Sequence, residues 1–109
     1  MSATQSVESQ ITLVPGNLIV GTNLAAEYIR VKNDVASGES TVDLVLKPVA
    51  KFSEIPAVWG IPKATENTIA SWCISDQSKI AVTVTVTVGT PGVGSVTLAA
   101  VMIGPQAWK

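Results

Sequence analysis

The stretch KIAVTVTVTVGTPGVGSVTLAAVMIG, residues 79 to 104, carries the strongest structural signal in this chain of 109 residues. Valine and threonine alternate through its first half. Because successive side chains of a strand point to opposite faces, the alternation predicts a strand with valine on one face and threonine on the other. The glycines and proline of GTPGVGS predict a loop, and a second strand follows from Val96 to Ile103. We therefore predict a β-hairpin over this stretch.

The second strand of this stretch is apolar on both faces. One face is predicted to line the core and comprises Val96, Leu98, Ala100 and Met102. The reverse face is also mostly apolar and comprises Thr97, Ala99, Val101 and Ile103. A strand that is apolar on both faces lies inside a sheet and is covered by another layer on each face. Because the chain is too short to supply another layer, we expect another copy to cover the reverse face. The alternative is that the N-terminal strands or the PQAWK tail fold over it.

The remainder of the chain consists of short β-like runs between turn residues, without helical periodicity. The runs cover residues 10–14, 18–21, 26–32, 40–52, 55–62 and 68–75. Pro15 and Gly16 predict a turn between the first two runs. Regularly spaced short strands are typical of antiparallel sandwiches and barrels. We predict an all-β fold, a single antiparallel β-sandwich or flattened barrel of seven to eight short strands.

The length fits one domain with a single core. We predict a polar N-terminal arm at residues 1–10, a β-sandwich domain at 11–104 and a C-terminal tail at 105–109. The first ten residues, MSATQSVESQ, lack the basic start and apolar run of a signal peptide, so we expect no secretion by that route. Whether the arm is ordered is left open by its Ser, Thr and Gln content.

Composition indicates an assembled protein. Charged residues make up 14% of the chain and hydrophobic residues 47%, where about 25% charged is usual for soluble domains. Either other subunits bury part of the surface or the chain belongs in a membrane. The apolar runs end well before the ~20 residues of a spanning helix, so we expect no membrane partner. Seven Lys and Arg against eight Asp and Glu form no basic stripe, so we expect no nucleic-acid partner.

Few residues point to chemistry. The chain has no histidine, the commonest general base and metal ligand. Its carboxylates are expected in loops or on solvent-exposed strand faces. Asp34 and Glu39 lie in one loop and could in principle bind calcium, but we favour the interpretation that they are solvated surface charges. GTPGVGS lacks the lysine and the helix of a phosphate-binding loop. Cys73 is expected to be a buried structural thiol. We predict that the protein is not an enzyme and has no catalytic, cofactor-binding or metal-binding residues, and therefore no cofactor.

The candidate contact residues are aromatic residues and apolar residues on the reverse face of the strand from Val96 to Ile103. Trp59 lies beside two prolines and Trp108 near the C-terminus, whereas Trp72 is expected in the core. Tryptophan is enriched among interface anchors and can also stack on a sugar ring. The predicted interface or ligand contacts are Trp59, Trp108, Tyr28, Val101 and Ile103. We also hypothesise that the tail, residues 105–109, is an arm docked on a neighbouring copy.

Residues 40 to 104 carry a resemblance. An alternating strand is followed by Phe52, Pro56 and Val58, then by the Thr/Val-rich stretch that ends in Ala100-x-x-Ile103-Gly104. This pattern resembles the small β-sandwiches of bacteriophage virions, in particular the module at tail-fibre tips that is similar to H-type lectins. The sugar and calcium residues of those lectins have no counterparts here.

The resemblance implies a virion component that is made in a host cytoplasm. Such sandwiches are commonly trimers, so we expect a structural homotrimer that decorates or cements a capsid, binding the major capsid protein or other virion proteins through apolar and strand-edge contacts. The start at a methionine favours this stand-alone role over a fibre tip. The alternative is a carbohydrate- or receptor-binding module of a phage tail fibre, in which Trp59 or Tyr28 stacks on a cell-surface glycan.

Overall fold

The computed structural model describes residues 6–19 and 22–107, with side chains from residue 24 onward. These residues form seven strands. The strands are β1 (Ser6–Ile19), β2 (Thr22–Asp34), β3 (Thr41–Leu46), β4 (Ala57–Thr65), β5 (Ile69–Gln77), β6 (Val82–Val88) and β7 (Ser95–Pro105). The predicted all-β class is confirmed.

Two antiparallel sheets pack face to face as a sandwich. The four-stranded sheet has the order β1-β2-β7-β4, and the three-stranded sheet has the order β3-β6-β5. Within the described ranges the two sheets share no strand, so they do not close into a barrel. The predicted antiparallel sandwich is confirmed, and β7 and β6 lie inside their respective sheets.

The core lies between the inner faces of the two sheets. It follows the alternation seen in the sequence, because every second side chain of a half-buried strand points inward. From β6 and β7 the buried side chains are Val82, Val84, Val86, Val88, Val96, Leu98, Ala100 and Met102. β2 and β3 add Ile29, Val31, Val42, Leu44 and Leu46. Each of the Val, Leu, Ile and Met side chains contributes about 1.5–3 kcal/mol when fully buried.

The predicted hairpin of β6 and β7 is wrong. β6 pairs with β3 and β5, whereas β7 pairs with β2 and β4 in the other sheet. The connecting residues 89–94 therefore pass from one sheet to the other. The two strands lie in opposite layers because this arrangement buries the valine face of β6 against the apolar inner face of β7. Side-by-side pairing would leave both faces in need of another layer.

The predicted turn at Pro15 and Gly16 is also wrong. Both residues lie within β1, where Pro15 is opposite Ala25 and Gly16 is opposite Leu24. A proline is tolerated there because β1 is an edge strand, and irregularities in the β1–β2 register accommodate it. β1 begins at Ser6, inside the range predicted as an arm, and residues 1–5 lie outside the described part of the chain.

The end of the chain binds to the chain itself. The backbone N–H of Ser53 donates to the carbonyl oxygen of Pro105 at 2.9 Å, and the N–H of Ala107 donates to that of Lys51 at 2.8 Å. Residues 105–107 are therefore held on the connection between β3 and β4 of the same chain, and the docking of the tail on a neighbouring copy stays a prediction. Trp108 lies outside the described residues.

Two predictions about burial are wrong for β5. Cys73 is exposed rather than buried, and Trp72, expected in the core, is 43% exposed. β5 is an edge strand of the three-stranded sheet, and β4 above it offers only small inward side chains. An edge strand with little cover keeps its side chains in contact with solvent.

Glu27 corrects the expectation that the carboxylates lie in loops or on wet faces. It is on the inner face of β2, opposite Met102, and is fully buried. Its Oε2 accepts a hydrogen bond from the backbone N–H of Val49 at 2.9 Å, and its Oε1 accepts one from Ala50 at 2.7 Å. These bonds satisfy the buried carboxylate and fix the connection between β3 and β4.

The β4–β5 turn and the β6–β7 loop meet at the opposite end of the sandwich, around Asn67. Its side-chain N–H groups donate to the carbonyl oxygens of Thr90 and Val93, both at 2.7 Å. Its Oδ1 accepts from the backbone N–H groups of Thr68 at 2.8 Å and Thr90 at 3.0 Å. The side chain of Asn67 thus connects the β4–β5 turn to the β6–β7 loop.

Candidate interaction surface

The outer face of the four-stranded sheet brings several predicted contact residues together. Tyr28 of β2 and Trp59 of β4 both lie opposite Val101 of β7, one on each side of it. The next row places Ala26, Ile103 and Ala57 in register, and the row on the other side places Arg30, Ala99 and Ile61 in register. Directly opposed residues on neighbouring strands project from the same face, so these rows form one surface.

This surface is apolar and accessible. Trp59 is 82% exposed, Ile61 76% and Ile103 37%, while Tyr28 and Val101 are half-buried beside them. Shallow grooves of about 270 Å³ and about 440 Å³ lie on either side of the indole of Trp59. We call this surface the outer apolar face; it comprises Tyr28, Trp59, Ile61, Ala99, Val101 and Ile103.

The sequence of β4 explains why its large side chains all point outward. Its inward positions hold Val58, Gly60, Pro62 and Ala64, and its outward positions hold Ala57, Trp59, Ile61, Lys63 and Thr65. A Cβ at Gly60 would lie 3.1 Å from Cβ of Ala100 and 3.1 Å from Cδ1 of Leu98. The inward side of β4 is therefore already in close contact, and the bulky residues occupy the outward side.

One end of the outer apolar face is basic. Arg30 and Lys63 line a groove of about 360 Å³ together with Ile61, Thr65, Thr97 and Ala99. Lys32 is in register with Thr97 and Lys63 in the following row. Asp34, in the last row, is the acidic residue among the described side chains on this face. The surface thus changes along the strands from apolar to basic.

A second apolar surface lies at the side of the sandwich where β4 and β5 are the edge strands. Trp72 is opposite Val86 and Ile74 is opposite Val84, so both point to the inner side of the three-stranded sheet. They nevertheless remain 43% and 40% exposed. We call Trp72 and Ile74 the open edge. Asp76 is the charged residue of β5, and Glu66 lies just before this strand.

Four of the five contact residues predicted from the sequence lie on the outer apolar face, but the prediction omitted part of this surface. Tyr28, Trp59, Val101 and Ile103 all lie on the outer apolar face, and Trp108 lies outside the described residues. Ile61 was missed, although the alternation in AVWGIPKAT places it on the same side of β4 as Trp59. The open edge was missed because an alternating pattern does not distinguish an edge strand from a central one.

No group of three or more His, Cys, Asp or Glu side chains in the described part of the chain could hold a metal ion. Residues 6–19 and 22–107 contain no helix with the length and apolar character needed to cross a membrane.

The fold and this surface define a β-sandwich with an exposed apolar sheet face. No protein-family profile and no curated protein sequence matches the chain. Among solved structures it is similar to the C-terminal part of the P. aeruginosa R1 pyocin fibre, with a TM-score of 0.50 and 10% identity over 94% of this chain and 28% of that one. It also matches an N-truncated R1-type pyocin tail fibre, with a TM-score of 0.47 and 8% identity over 88% and 85% of the two chains. At these identities the similarity to the first structure concerns the fold.

Proposed function

We propose that this chain is a non-enzymatic, self-associating structural module of a bacteriophage-type virion, of the tail-fibre kind. The observation that carries the proposal is the outer apolar face with its exposed Trp59 and Ile61. The largest contiguous apolar patch on a soluble protein is often a functional contact site. Permanent subunit interfaces have the composition of a domain core cut in half, as this face does.

Fold and composition support the same role. A fold shared with part of a pyocin fibre is consistent with a fibre module. The chain spans 28% of that fibre chain, so we propose the role of one module and not that of a whole fibre. The charged fraction of 14% leaves an apolar surface for contact between subunits, and we propose a trimer as the closed form.

The tail-fibre role is proposed ahead of capsid decoration. The two roles share the virion as location and other virion proteins as partners. The fold resemblance is to a fibre, which favours the fibre role. Binding to an assembled head lattice, measured by co-sedimentation with virion heads, would favour the decoration role instead.

Solution mass across a dilution series tests the self-association. Light scattering should give a multiple of the 11.3 kDa chain mass that persists on dilution, three-fold for a trimer. Ile61→Asp should shift the mass toward the monomer, because a charge on the outer apolar face cannot be buried without a partner. Ile80→Asp is the matched control, since Ile80 is 78% exposed and lies outside this face. A wild-type chain that is monomeric at every concentration would overturn the proposal.

Glycan binding is a second candidate function, favoured by the exposed indole of Trp59 in the same row as Tyr28. Aromatic faces stack on sugar rings in sites of this kind. In this case Trp59→Ala abolishes retention on a glycan array while the oligomer mass stays unchanged. Trp72→Ala is the control for losing a tryptophan elsewhere. Loss of the oligomer in Trp59→Ala would assign the indole to subunit contact.

A further inference from the structure

We propose that Trp108 docks on its own chain, with its indole in a groove at the end of the sandwich where β3 and β5 end. This groove has a volume of about 230 Å³, and we call it the end groove. The inference concerns contacts within one chain and does not depend on self-association. The walls of the end groove include Val49, Ala50 and Lys51 of the β3–β4 connection, Lys79 and Ile80 of the β5–β6 turn, and Ala107.

The end groove leaves large apolar side chains in contact with water. Val49 is 73% exposed and Ile80 is 78% exposed. Phe52, which also lines the groove, is buried and belongs to the core. The groove thus connects an exposed apolar rim to the core. An apolar side chain placed in it would remove Val49 and Ile80 from water and extend the core to the end of the sandwich.

The hydrogen bonds of the tail place residue 108 beside this groove. The backbone N–H of Ala107 donates to the carbonyl oxygen of Lys51 at 2.8 Å, and Gln106 forms a β-bridge with Phe52. Trp108 lies outside the described residues, but consecutive Cα atoms are about 3.8 Å apart across a trans peptide. Because Ala107 itself lines the groove, the side chain of the next residue starts at the groove wall.

The size and charge of the end groove suit a tryptophan side chain. Sites for separate small molecules usually measure ~300–1,000 Å³, so a groove of about 230 Å³ fits one large side chain better. Lys51 and Lys79 are exposed and line it. Among aromatic rings, indole attracts an ammonium group most strongly to its face. Trp108 therefore offers both the apolar area and the ring face that match these walls.

The same geometry favours the tryptophan of the same chain over that of a neighbouring copy. No residue separates Trp108 from the hydrogen-bonded Ala107, so its effective concentration at its own groove is on the order of millimolar or more. The indole of a neighbour would have to displace it, and association would also cost the free motion of a second molecule.

Tryptophan fluorescence tests the docking. In a chain carrying Trp59→Phe and Trp72→Phe, the emission of Trp108 should lie at short wavelength and resist acrylamide quenching equally at every protein concentration. Adding Ile80→Asp should shift the emission to longer wavelength, because a carboxylate in the groove wall opposes burial of the ring. Val93→Asp is the matched control, since Val93 is 40% exposed in the β6–β7 loop at the opposite end. Emission typical of a solvated indole in the chain without Ile80→Asp would overturn the proposal.

A mixing experiment distinguishes docking within the chain from docking on a neighbour. The Ile80→Asp chain that retains Trp108 is mixed with an excess of a chain that carries Trp59→Phe, Trp72→Phe and Trp108→Ala and therefore has an intact, unfilled groove. The mixture is refolded from urea so that subunits exchange. Docking within the chain predicts that the emission stays at long wavelength. Recovery of the short wavelength would show that the tail docks on a neighbouring copy and would overturn the proposal.

Light scattering on the same samples separates this inference from the proposed function. A monomeric protein in which Trp108 is buried would overturn the proposed self-association and support the docking of Trp108 on its own chain. An oligomeric protein with a solvated Trp108 would have the opposite meaning.

Discussion

The carboxylate of Glu27 accepts a hydrogen bond from the backbone N–H of Ala50, with Oε1 and the nitrogen 2.7 Å apart although the two residues are 23 positions apart in sequence. The second carboxylate oxygen accepts from Val49, so a buried charge on β2 holds the connection that leads from β3 to β4. This connection determines where β4 enters its sheet, and β4 carries Trp59. A charged residue in the core is therefore linked through the backbone to the position of the outer apolar face.

Replacing Glu27 by glutamine should destabilise the fold. The amide retains the volume, but its NH2 group would face a backbone N–H, so one of the two bonds is lost and a donor is left without an acceptor. We expect a loss of about 1–3 kcal/mol in the free energy of unfolding, measured by urea denaturation. Glu54→Gln, at an exposed position, should change the free energy by less than about 0.5 kcal/mol. Equal effects of the two substitutions would contradict the role assigned to the buried carboxylate.

Gly94 should tolerate alanine far less well than Gly38. Both have positive φ, 77° for Gly94 and 79° for Gly38. An added Cβ meets nothing within 4 Å at Gly38 but clashes with the carbonyl oxygen of Thr65 at Gly94. Gly38→Ala should cost about 1–2 kcal/mol from the backbone conformation, and Gly94→Ala roughly 3 kcal/mol or more. Thermal unfolding of the pair measures the difference, and equal melting temperatures would show that the clash relaxes without cost.

Both the donor and the acceptor groups of the Asn67 side chain should contribute to the stability of the fold. Asn67→Asp keeps an acceptor for the N–H groups of Thr68 and Thr90 but faces the carbonyl oxygens of Thr90 and Val93 with a negative charge. Asn67→Ala loses all four bonds. We expect both variants to unfold at lower temperature than wild type, each bond contributing about 1 kcal/mol or less at this solvated site.

Hydrogen exchange separates the two Asn67 variants. The amide of Thr90 should stay protected in Asn67→Asp, where its acceptor remains, and exchange faster in Asn67→Ala. Fast exchange of this amide in both variants would mean that the loops come apart whenever the donor bonds are lost.

The environment of Trp59 should change with assembly. In a chain carrying Trp72→Phe and Trp108→Phe, the emission of Trp59 should lie at shorter wavelength than in the same chain with Ile61→Asp added, because that charge opposes association and leaves the indole in water. Acrylamide quenching should be weaker in the chain without Ile61→Asp. A chain that keeps Trp72 and lacks the other two tryptophans is the comparison, since Trp72 lies outside the outer apolar face. Equal emission of Trp59 with and without Ile61→Asp would argue against burial of the outer apolar face.

Alternation made the core predictable but not the assignment of strands to sheets. The inward set Val96, Leu98, Ala100 and Met102 was predicted correctly, because period-two burial is written directly into the sequence. The separation of β6 and β7 was not, since a loop such as GTPGVGS can join partners in one sheet or strands in opposite layers. Which occurs depends on what each strand can pack against, and this information is spread over the whole chain.

The contact surface shows the same division. Tyr28, Val101 and Trp59 were singled out separately by residue type and strand face, and only the pairing of β7 with both β2 and β4 places them in one row. The sequence predicts Trp72 in the core because residues 69–75 alternate in the same way as the strands with a buried face. Its exposure results from the edge position of β5, which depends on the strand order and cannot be read from residues 69–77 alone.

The position of β7 also bears on the order in which the protein can fold. β7 separates β2 from β4, yet it follows both in the chain, and the connections β2–β3, β3–β4, β4–β5 and β6–β7 all pass between the sheets. During synthesis, the edges of β2 and β4 that pair with β7 therefore have no partner until translation has reached residue 105. During that interval the unpaired edges are open to aggregation, and pairings between distant strands make closure slow. The strand at the centre of the sheet is also the one whose arrival commits the chain to its fold.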